Sequence, residues 1–572
     1  MQSQKKSLDD FLGIKSHDET VDLEAIKKML NLSDFEEDEW TFKIANTKEF
    51  THTIFNEYPA RMIPQVARKL IKCYYPNYEN PELKKPMLDP FAGSGTSCVE
   101  ALLRNLDAIA FDLNPLAHVV EKARTAIVNP GFAQKKYKAV VQFIDANKSH
   151  LFEDHIPRYD KIEFWYSKKV IQGLSVIACA INTILPDADN ETNNNPAATG
   201  TKNLLLVSMG KAARDCSFQR KGENKTFRME REKMPGFEEK VDVIKTFKAV
   251  AEEYLGASKE LYDYYTSMEY SASCKAYLGN SMQLDGIADN SIDLIVTSPP
   301  YGDSQTTVAY GQFSRFPLEW IIHDQDTIKA IDDELLGGVE NEQDIPESPI
   351  LLATCKSILE EEMKQQANLI DKFKVSLEVI TQRESDSEDN AVIEEIMHTS
   401  SECVETISSR LSIVLEIKSF EEMLNIKDEY YSLLKKFRPN GNKGNKILDT
   451  RKMLDIKTKF KIIDDRLGYV LSFYSDFMKV YQRLYEVLDF GRKCCFVTGN
   501  RTVKNIRIPT DKIIIDLGKQ IGFEHITTFY RNIPNKKMPL WNSPSNVPGT
   551  TAPLMDRESI IVLEKRVLND QS

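Results

Sequence analysis

The sequence predicts an α/β fold in which a doubly wound, Rossmann-like sheet is interrupted by two largely helical insertions. A glycine-rich segment, residues 89–96, lies between a short apolar run and a helical pattern, as expected of a strand-to-helix turn. A second strand-like run, residues 108–111, follows that helix. A third apolar run, residues 292–296, ends at two consecutive prolines, which stop both a strand ladder and a helix. We expect ligands at the carboxyl edge of such a sheet.

The same patterns divide the chain into a polar N-terminal tail, residues 1–39, and a core that is interrupted twice. The core segments are residues 40–130, 273–329 and 467–572, and the insertions are residues 131–272 and 330–466. The first insertion contains residues 186–201, whose Asp, Asn, Pro and Gly content predicts an exposed loop. The second has the pattern of long amphipathic helices. We expect the core to resume with residues 467–488, followed by a strand over 494–497, a helix over 511–521 and a final strand over 559–565.

Composition narrows the class of protein. The 572 residues are 41% hydrophobic, which is enough to build two or more domains. The first residues have no apolar signal core and no apolar stretch is long enough to cross a bilayer, so we expect a cytoplasmic protein without membrane contacts. Nine cysteines without a C-x-x-C motif indicate reduced thiols. The eight histidines show no ligand spacing, and we expect no metal site.

The first loop has the features of a nucleotide-binding turn. Gly93 and Gly95 allow a close approach of the backbone to a ligand. Asp112 follows roughly 20 residues later, at the end of the next strand, where an acid of a nucleotide-binding fold meets the ribose hydroxyls. A nicotinamide dinucleotide site is an alternative. However, Cys98 replaces the third glycine of G-x-G-x-x-G, which packs the helix onto the strand in that fold.

The second loop, residues 297–301, is suited to an exocyclic amine of a base. Its two prolines make a stiff turn at the end of a strand. The Ser298 hydroxyl and the Pro299 carbonyl can accept from the amine, while Tyr301 offers a stacking face. Stacking of a base on an aromatic ring is worth about 1 to 3 kcal/mol, which is comparable to the cost of extruding the base from a duplex.

Together the motifs resemble the S-adenosylmethionine-dependent amino-methyltransferases of DNA, most closely those that act on cytosine N4. The resemblance covers about half of the chain and rests on residues 58–64, 89–96, 112–115, 279–281, 297–301, 497–501, 535–539 and 542–546. In that family a serine before Pro-Pro goes mostly with cytosine N4, and an aspartate or asparagine mostly with adenine N6. Ser298 therefore indicates cytosine. The donor loop precedes the acceptor loop in this sequence. This order excludes the permuted class of the family, in which the acceptor loop comes first.

The resemblance also implies roles for individual residues. Ser298, Pro299, Pro300 and Tyr301 would be the catalytic residues. The donor would be bound by Asp89, Phe91, Gly93, Gly95, Thr96, Asp112 and Asn280, with Asp112 on the ribose. Asn280 stands where the family usually has an acid, so the adenosine contact differs from the usual one.

The expected reaction depends on in-line placement of the nitrogen lone pair more than on a strong base, because a sulfonium methyl group is already activated. Ser298 and the Pro299 carbonyl would polarise the amine, and the proton would leave afterwards to solvent. Methylation of cytosine C5 is excluded. The enzymes that methylate C5 use a cysteine nucleophile that directly follows a proline, and none of the nine cysteines here follows a proline.

Three alternatives stay open at this stage. The enzyme could methylate adenine N6 instead of cytosine N4. It could act on guanine N2 of transfer RNA, although such enzymes usually have aspartate before Pro-Pro and an added RNA-binding domain. It could also be a DNA-binding protein with an inactive methylase fold, but both loops are intact.

We expect double-stranded DNA as the partner and a nucleoid-associated location, despite a net charge of −12. Local basic surface matters more than the total charge, and residues 211–233 and 435–461 are two basic tracts. We expect the two insertions to share recognition of DNA. A cognate restriction endonuclease is a second candidate partner. The third is the replication sliding clamp, because residues 6–12, Lys-Ser-Leu-Asp-Asp-Phe-Leu, resemble a degenerate clamp-docking peptide.

Overall fold

The structure is a computed structural model. It describes residues 40–42, 48–159, 161–186, 195–302, 308–339, 344–381, 390–414, 416–437, 466–533, 541–542, 552–553 and 557–566. The peptide at residues 6–12, the motif blocks at 535–539 and 543–546, and most of the basic tract at 435–461 lie outside the described residues.

A seven-stranded sheet forms the centre of the protein, in the order β3-β2-β1-β4-β5-β11-β8. Neighbours from β3 to β5 are parallel, whereas β11 runs antiparallel to both β5 and β8. The strands are β1 Met87–Asp89, β2 Ala108–Asp112, β3 Cys274–Leu278, β4 Ile292–Thr297, β5 Leu488–Gly499, β6 Thr502–Val503, β7 Ile506–Arg507, β8 Phe523–Asn532, β9 Trp541–Asn542, β10 Ala552–Pro553 and β11 Arg557–Lys565. This is the predicted Rossmann-like α/β fold.

The order of the strands determines where a ligand can bind. From β1 the chain continues to β2 and β3 on one side, and later to β4 and β5 on the other. The sheet therefore has its switch point between β1 and β4, and a crevice opens there beyond the carboxyl ends of the strands. All six residues of β4 are buried, including Asp293 and Thr297, as expected for a strand that is covered on both faces.

Helices cover the sheet and form two further layers of core. In the first half they are α1 Pro64–Tyr74, α2 Thr96–Leu102, α3 Pro115–Thr125, α4 Pro130–Asn147, α5 Ile162–Trp165, α6 Lys168–Ile184, α7 Pro196–Asp215, α8 Met234–Lys240 and α9 Val243–Ser267. In the second half they are α10 Tyr310–Ile321, α11 Gln325–Glu334, α12 Pro349–Thr381, α13 Asn390–Val414, α14 Phe420–Phe437, α15 Arg466–Val487 and α16 Thr510–Ile521. No helix among the described residues is long and apolar enough to cross a membrane.

Most of these helices pack into one of two large hydrophobic clusters. One joins residues of α4, α6, α7 and α9 with residues of α3 and α10. The other joins residues of α12, α13 and α14 with residues of α15, α16 and one face of the sheet. The first group thus shares core with α3 and α10 and the second with the sheet, so each is expected to lose stability if that shared core is disrupted.

The prediction of a loop over residues 186–201 was wrong at the C-terminal end of that range. Helix α7 begins at Pro196, so residues 196–201 are helical. The Asn195 side chain accepts from the backbone N–H groups of Ala197 and Ala198 at 3.0 and 3.3 Å, and proline occupies the first helical position. Asparagine followed by proline is a helix start, and loop composition alone concealed it. Strand β5 also begins six residues earlier than the predicted residue 494.

A buried network of charged side chains connects α1 to α2, the helix that follows the first loop. Arg68 of α1 donates to Glu100 of α2 through Nε at 2.8 Å and Nη2 at 2.9 Å. His52 lies 2.9 Å from the same carboxylate. Although burial opposes ionisation, Arg68 and His52 lower the pKa of Glu100 to about 2. Removing one partner would leave a buried charge unpaired.

Gly95 ends the first loop and is the N-cap residue of α2. Its φ is +76°, a conformation that side chains rarely adopt. A Cβ atom at this position would lie only 2.8 Å from Cγ of Glu121 on α3. Gly95 is therefore required for the packing of α3 against the loop.

We predict that Gly95→Ala lowers the free energy of unfolding by about 1 to 3 kcal/mol more than Gly286→Ala does. Gly286 is a matched control, because its φ is +82° and nothing lies within 4 Å of an added Cβ. Backbone strain is thus similar in the two variants, and the contact with Glu121 exists in only one. Urea unfolding of both proteins measures the difference. Equal losses would show that Glu121 moves away at no cost.

Candidate active site

A cavity opens at the switch point of the sheet, between the loop that follows β1 and the loop that follows β4. It contains about 880 Å³ of empty space, part of which is open to solvent. Eight of the eleven predicted site residues line it: Asp89, Phe91, Gly93, Thr96, Asp112, Asn280, Ser298 and Pro300. Gly95, Pro299 and Tyr301 do not line it.

Asp89 connects the two loops. Its carboxylate accepts from the backbone N–H of Phe91 at 3.1 Å and from the hydroxyl of Ser97, both in the first loop and helix. It also accepts from Thr297 Oγ1 at 2.7 Å, and Thr297 immediately precedes Ser298. Burial raises the pKa of Asp89 to about 6, although these three hydrogen bonds oppose the rise. One carboxylate therefore sets the distance between the two loops.

Asp112 closes the far side of the first loop. One carboxylate oxygen accepts from the backbone N–H of Gly93 at 2.8 Å, and the other from that of Asn114 at 2.8 Å. Burial raises the pKa of Asp112 to about 6. Each oxygen keeps a second lone pair for a ligand, because a carboxylate offers about four acceptor positions. The acid at the end of β2 thus faces the cavity and holds the glycine loop at the same time.

Tyr58 and Tyr310 are cavity residues for which the sequence indicated no role. A Cβ atom at Gly93 would lie 3.4 Å from the Tyr58 ring, so this ring covers the loop. The Tyr58 hydroxyl accepts from Asn114 Nδ2 at 3.1 Å, and its ring centroid is 6.1 Å from that of Tyr310. Residues 58–64 were part of the family resemblance, which gave a signal for Tyr58. Tyr310 begins α10 and no sequence motif contains it.

Arg61 and Asn280 also line the cavity. Burial lowers the pKa of the Arg61 guanidinium to about 10, and Glu57 opposes this shift. Among the described residues that line the cavity, Arg61 is the one basic side chain. Asn280 Oδ1 accepts from the backbone N–H of Met282 at 2.8 Å, so its amide N–H₂ group is the part still available as a donor.

Ser298 has a defined orientation. Its hydroxyl donates to the backbone carbonyl of Val497, on the neighbouring strand β5, at 3.0 Å. Tyr301 lies beside it, with its oxygen 3.5 Å from Ser298 Oγ, and donates to Glu558 Oε1 at 3.0 Å. Arg531 forms an ion pair with the other oxygen of Glu558. Because a carbonyl can only accept, the Ser298 oxygen is left with lone pairs rather than a proton for the cavity.

Tyr301 is partly buried, and burial together with Glu558 raises its pKa well above the usual range. Its hydroxyl is therefore neutral and acts as a donor to Glu558. Glu558 and Arg531 belong to strands β11 and β8, more than 200 residues after the loop, and sequence spacing contained no signal for them.

A group of side chains that metals commonly bind lies behind the first loop. Ligand atoms of Cys98, Glu121 and Cys274 lie within 4.8 Å of one another. A hydrogen bond with Cys274 and burial raise the pKa of Cys98, and burial raises that of Glu121 well above its usual range. Neutral side chains in this position are consistent with a packing role for the group. All nine cysteines are free thiols.

Comparisons with known proteins agree with this geometry. A DNA methylase family, of the N6/N4 amino-methylating type, matches residues 3–121. The chain is also similar to the type II methyltransferase M.MvaI of Kocuria varians, with 29% identity over 539 residues that cover 92% of this chain and 93% of the relative. No solved structure matches the chain. The sheet, its two loops and these similarities agree: the chain is similar to the N6/N4 DNA methylases, a family whose members take their methyl group from S-adenosylmethionine.

Proposed function

We propose that the protein methylates the exocyclic N4 amine of cytosine at a specific site in double-stranded DNA, after that base has been flipped out of the helix. The observation that carries the proposal is the hydrogen bond from Ser298 to the Val497 carbonyl at 3.0 Å. It leaves the serine oxygen as an acceptor on the cavity wall. An amine that donates to this oxygen has its own lone pair available on the opposite side for the methyl group.

The donor is proposed to bind across the first loop. Asp112 would accept from the ribose hydroxyls, since each of its oxygens has a lone pair beyond its bond to the backbone. Arg61 would pair with the carboxylate of the methionine portion, because it is the basic group among the described residues of the wall. Asn280 would contribute amide N–H donors to the adenine ring. Phe91, Gly93 and Thr96 would surround the chain that links sulfur to these groups.

Asp89 and Gly95 act on donor binding indirectly in this proposal. The Asp89 oxygens receive hydrogen bonds from both loops, so its main effect would be on the placement of Ser298 relative to the donor. Gly95 lies away from the cavity wall and would act by allowing α3 to pack. Small displacements of either loop would lengthen the path of the methyl group and slow the reaction.

Catalysis is proposed to be direct transfer. The nitrogen attacks the methyl carbon in line with the bond to sulfur, which breaks as the new C–N bond forms. Ser298 would accept from the amine and favour a tetrahedral nitrogen. The extra proton on nitrogen would leave to solvent afterwards. Tyr301 is proposed to hold Ser298 in place through their 3.5 Å contact.

The base specificity can be tested with DNA from a host that expresses the protein. Nucleoside analysis by mass spectrometry is expected to detect N4-methylcytosine, and sequencing of the modified bases would give the target site. DNA from a host that expresses Ser298→Ala is the control. Detection of N6-methyladenine in place of N4-methylcytosine would overturn the cytosine proposal and leave the family assignment intact.

A cognate restriction endonuclease is also proposed as a functional partner, since the relative from Kocuria varians is a type II methyltransferase. DNA methylated by this protein should then resist an endonuclease that recognises the same site. Continued cleavage of fully methylated DNA would contradict the pairing.

We predict that Ser298→Ala reduces kcat for methyl transfer about 10- to 100-fold, because an acceptor worth roughly 1 to 3 kcal/mol is lost in a buried site. The dissociation constant of S-adenosylmethionine, measured by calorimetry, should change less than about twofold. Tyr301→Phe should have the same kind of effect with a smaller loss. Ser291→Ala, just before β4 at the other end of that strand, is the matched control and should leave both values unchanged. Loss of donor affinity that equals the loss of activity would place Ser298 in the donor site.

We predict that affinity for S-adenosylmethionine falls as the pH drops below about 6. The pKa of Asp112 is raised to about 6, and its ionised form is the one that accepts from ribose hydroxyls. Above pH 6 the carboxylate is present and affinity is full, whereas below it affinity should fall by up to roughly tenfold per pH unit. In Asp112→Asn the donor should bind weakly at every pH. If that variant keeps the pH dependence, the responsible group is another one, such as Asp89.

A further inference from the structure

A short basic hairpin, residues 218–229, projects between α7 and α8. Gln219 and Arg228 form an antiparallel bridge. Backbone hydrogen bonds from Arg220 to Phe227 at 2.8 Å and from Met229 to Phe218 at 2.7 Å close the ladder. Gln219 Nε2 donates to the Glu223 carbonyl at 3.1 Å inside the turn, where Gly222 has a φ of +81°. The hairpin therefore has a defined shape.

Two arginines anchor the hairpin to the protein. Arg214 of α7 donates to the Glu223 carbonyl at 2.6 Å and to the Phe313 carbonyl at 2.9 Å, with its guanidinium 4.0 Å from the Phe313 ring centroid. Arg228 donates to the Phe164 carbonyl at 2.8 Å and lies 3.9 Å from the centre of that ring. Both side chains are thus committed to internal contacts. They are poor candidates for phosphate contacts, although the basic tract in the sequence included them.

The outward side of the hairpin has a different composition. Arg220, Lys221 and Lys225 are exposed, and the hairpin carries four basic residues and one acid. Phe227 is 46% exposed and lies among these cations, with the Arg220 guanidinium 5.9 Å from its ring centroid. The ring and the three cations thus form one outward surface that combines an aromatic face with positive charge, on a protein whose net charge is −12.

The hairpin is tied to the wall of the cavity. The backbone N–H of Thr226 donates to Gln312 Oε1 at 3.1 Å, and the Thr226 hydroxyl donates to the Gln312 carbonyl at 3.3 Å. Gln312 lies in the first turn of α10, two residues after Tyr310, which lines the cavity. Phe227 and Lys225, the neighbours of Thr226, are therefore connected to the helix that contributes Tyr310 to the cavity.

We propose that this hairpin binds the DNA duplex beside the flipped base. Arg220, Lys221 and Lys225 contact phosphates, and the Phe227 ring packs against the bases or sugars next to the position that the target base leaves. Phosphate contacts require a local cluster of cations, and apolar side chains that enter a duplex stabilise its distorted form. The inference rests on the proposed function, because it takes the cavity as the site that receives the base.

The phosphate contacts can be tested with a 30-base-pair duplex of unrelated sequence and fluorescence anisotropy. The triple variant Arg220→Gln, Lys221→Gln and Lys225→Gln is expected to bind less tightly at low salt. The slope of log K against log salt should become less steep by about 0.9 for each lost contact. The matched control carries the same loss of charge on α4 and at the residue that follows it, with Lys135→Gln, Lys138→Gln and Lys148→Gln. An unchanged slope in the hairpin variant, or an equal change in the control, would overturn the proposal.

Phe227 requires a separate measurement, because a ring contributes little to the salt dependence. Phe227→Ala is expected to slow methylation of duplex DNA at least tenfold and to slow methylation of the same sequence as a single strand by less than twofold. Phe490→Ala, which removes another exposed ring, is the control. Equal rates for Phe227→Ala and wild type on the duplex would overturn the role of Phe227.

The experiments distinguish a wrong proposed function from a wrong proposal about the hairpin. If wild-type protein with bound S-adenosylmethionine transfers no methyl group to any DNA, the proposed function is wrong. If the wild type methylates DNA and the hairpin variants match it in duplex affinity, salt dependence and rate, only the hairpin inference is wrong. Unfolding curves of the variants exclude a loss of fold as the cause of a negative result.

Discussion

The hydrogen bonds to the Asp89 carboxylate are the constraint on which the geometry of the site depends. One end of β1 supplies the acid, the first loop supplies two donors, and Thr297 at the end of β4 supplies the third. Because β1 and β4 are adjacent parallel strands, their carboxyl ends already lie at the same edge of the sheet. The carboxylate then fixes the two loops relative to each other. A transfer between two bound molecules needs this kind of fixed distance, since misplacement by about 1 Å can cost 100-fold in rate.

A second set of contacts extends from this centre to the helical part of the protein. Asp112 holds the backbone of Asn114, and Asn114 Nδ2 donates to Ser314 of α10 at 2.8 Å. Helix α10 in turn receives both hydrogen bonds of Thr226 from the basic hairpin. The donor loop, the wall of the cavity and the proposed DNA contact are thus parts of one hydrogen-bonded structure. Packing between Tyr58 and Phe313, with ring centroids 5.9 Å apart, reinforces the same connection.

Some basic side chains of the protein make internal contacts, whereas others face the solvent. Arg68, Arg214 and Arg228 are used inside, on carboxylates, carbonyls and aromatic rings. A net charge of −12 therefore says little about affinity for DNA, because the sign of the local surface determines attraction to phosphate. Only the three-dimensional arrangement shows which members of a basic tract face outwards, and this separates Arg220, Lys221 and Lys225 from their neighbours in sequence.

The α/β fold, five of the seven strands of the central sheet and the two loops could be predicted from the sequence, because these depend on local chemistry. Glycines and prolines restrict the backbone where they stand, and a buried strand needs a continuous apolar run. The tertiary structure alone decided which distant groups complete the site. Glu558 reaches Tyr301 across more than 250 residues, Tyr310 joins Tyr58 at the cavity, and Glu121 gives Gly95 a packing role away from its wall. No periodicity or spacing encodes these contacts, since they arise when strands and helices that are remote in sequence meet at one edge of the sheet.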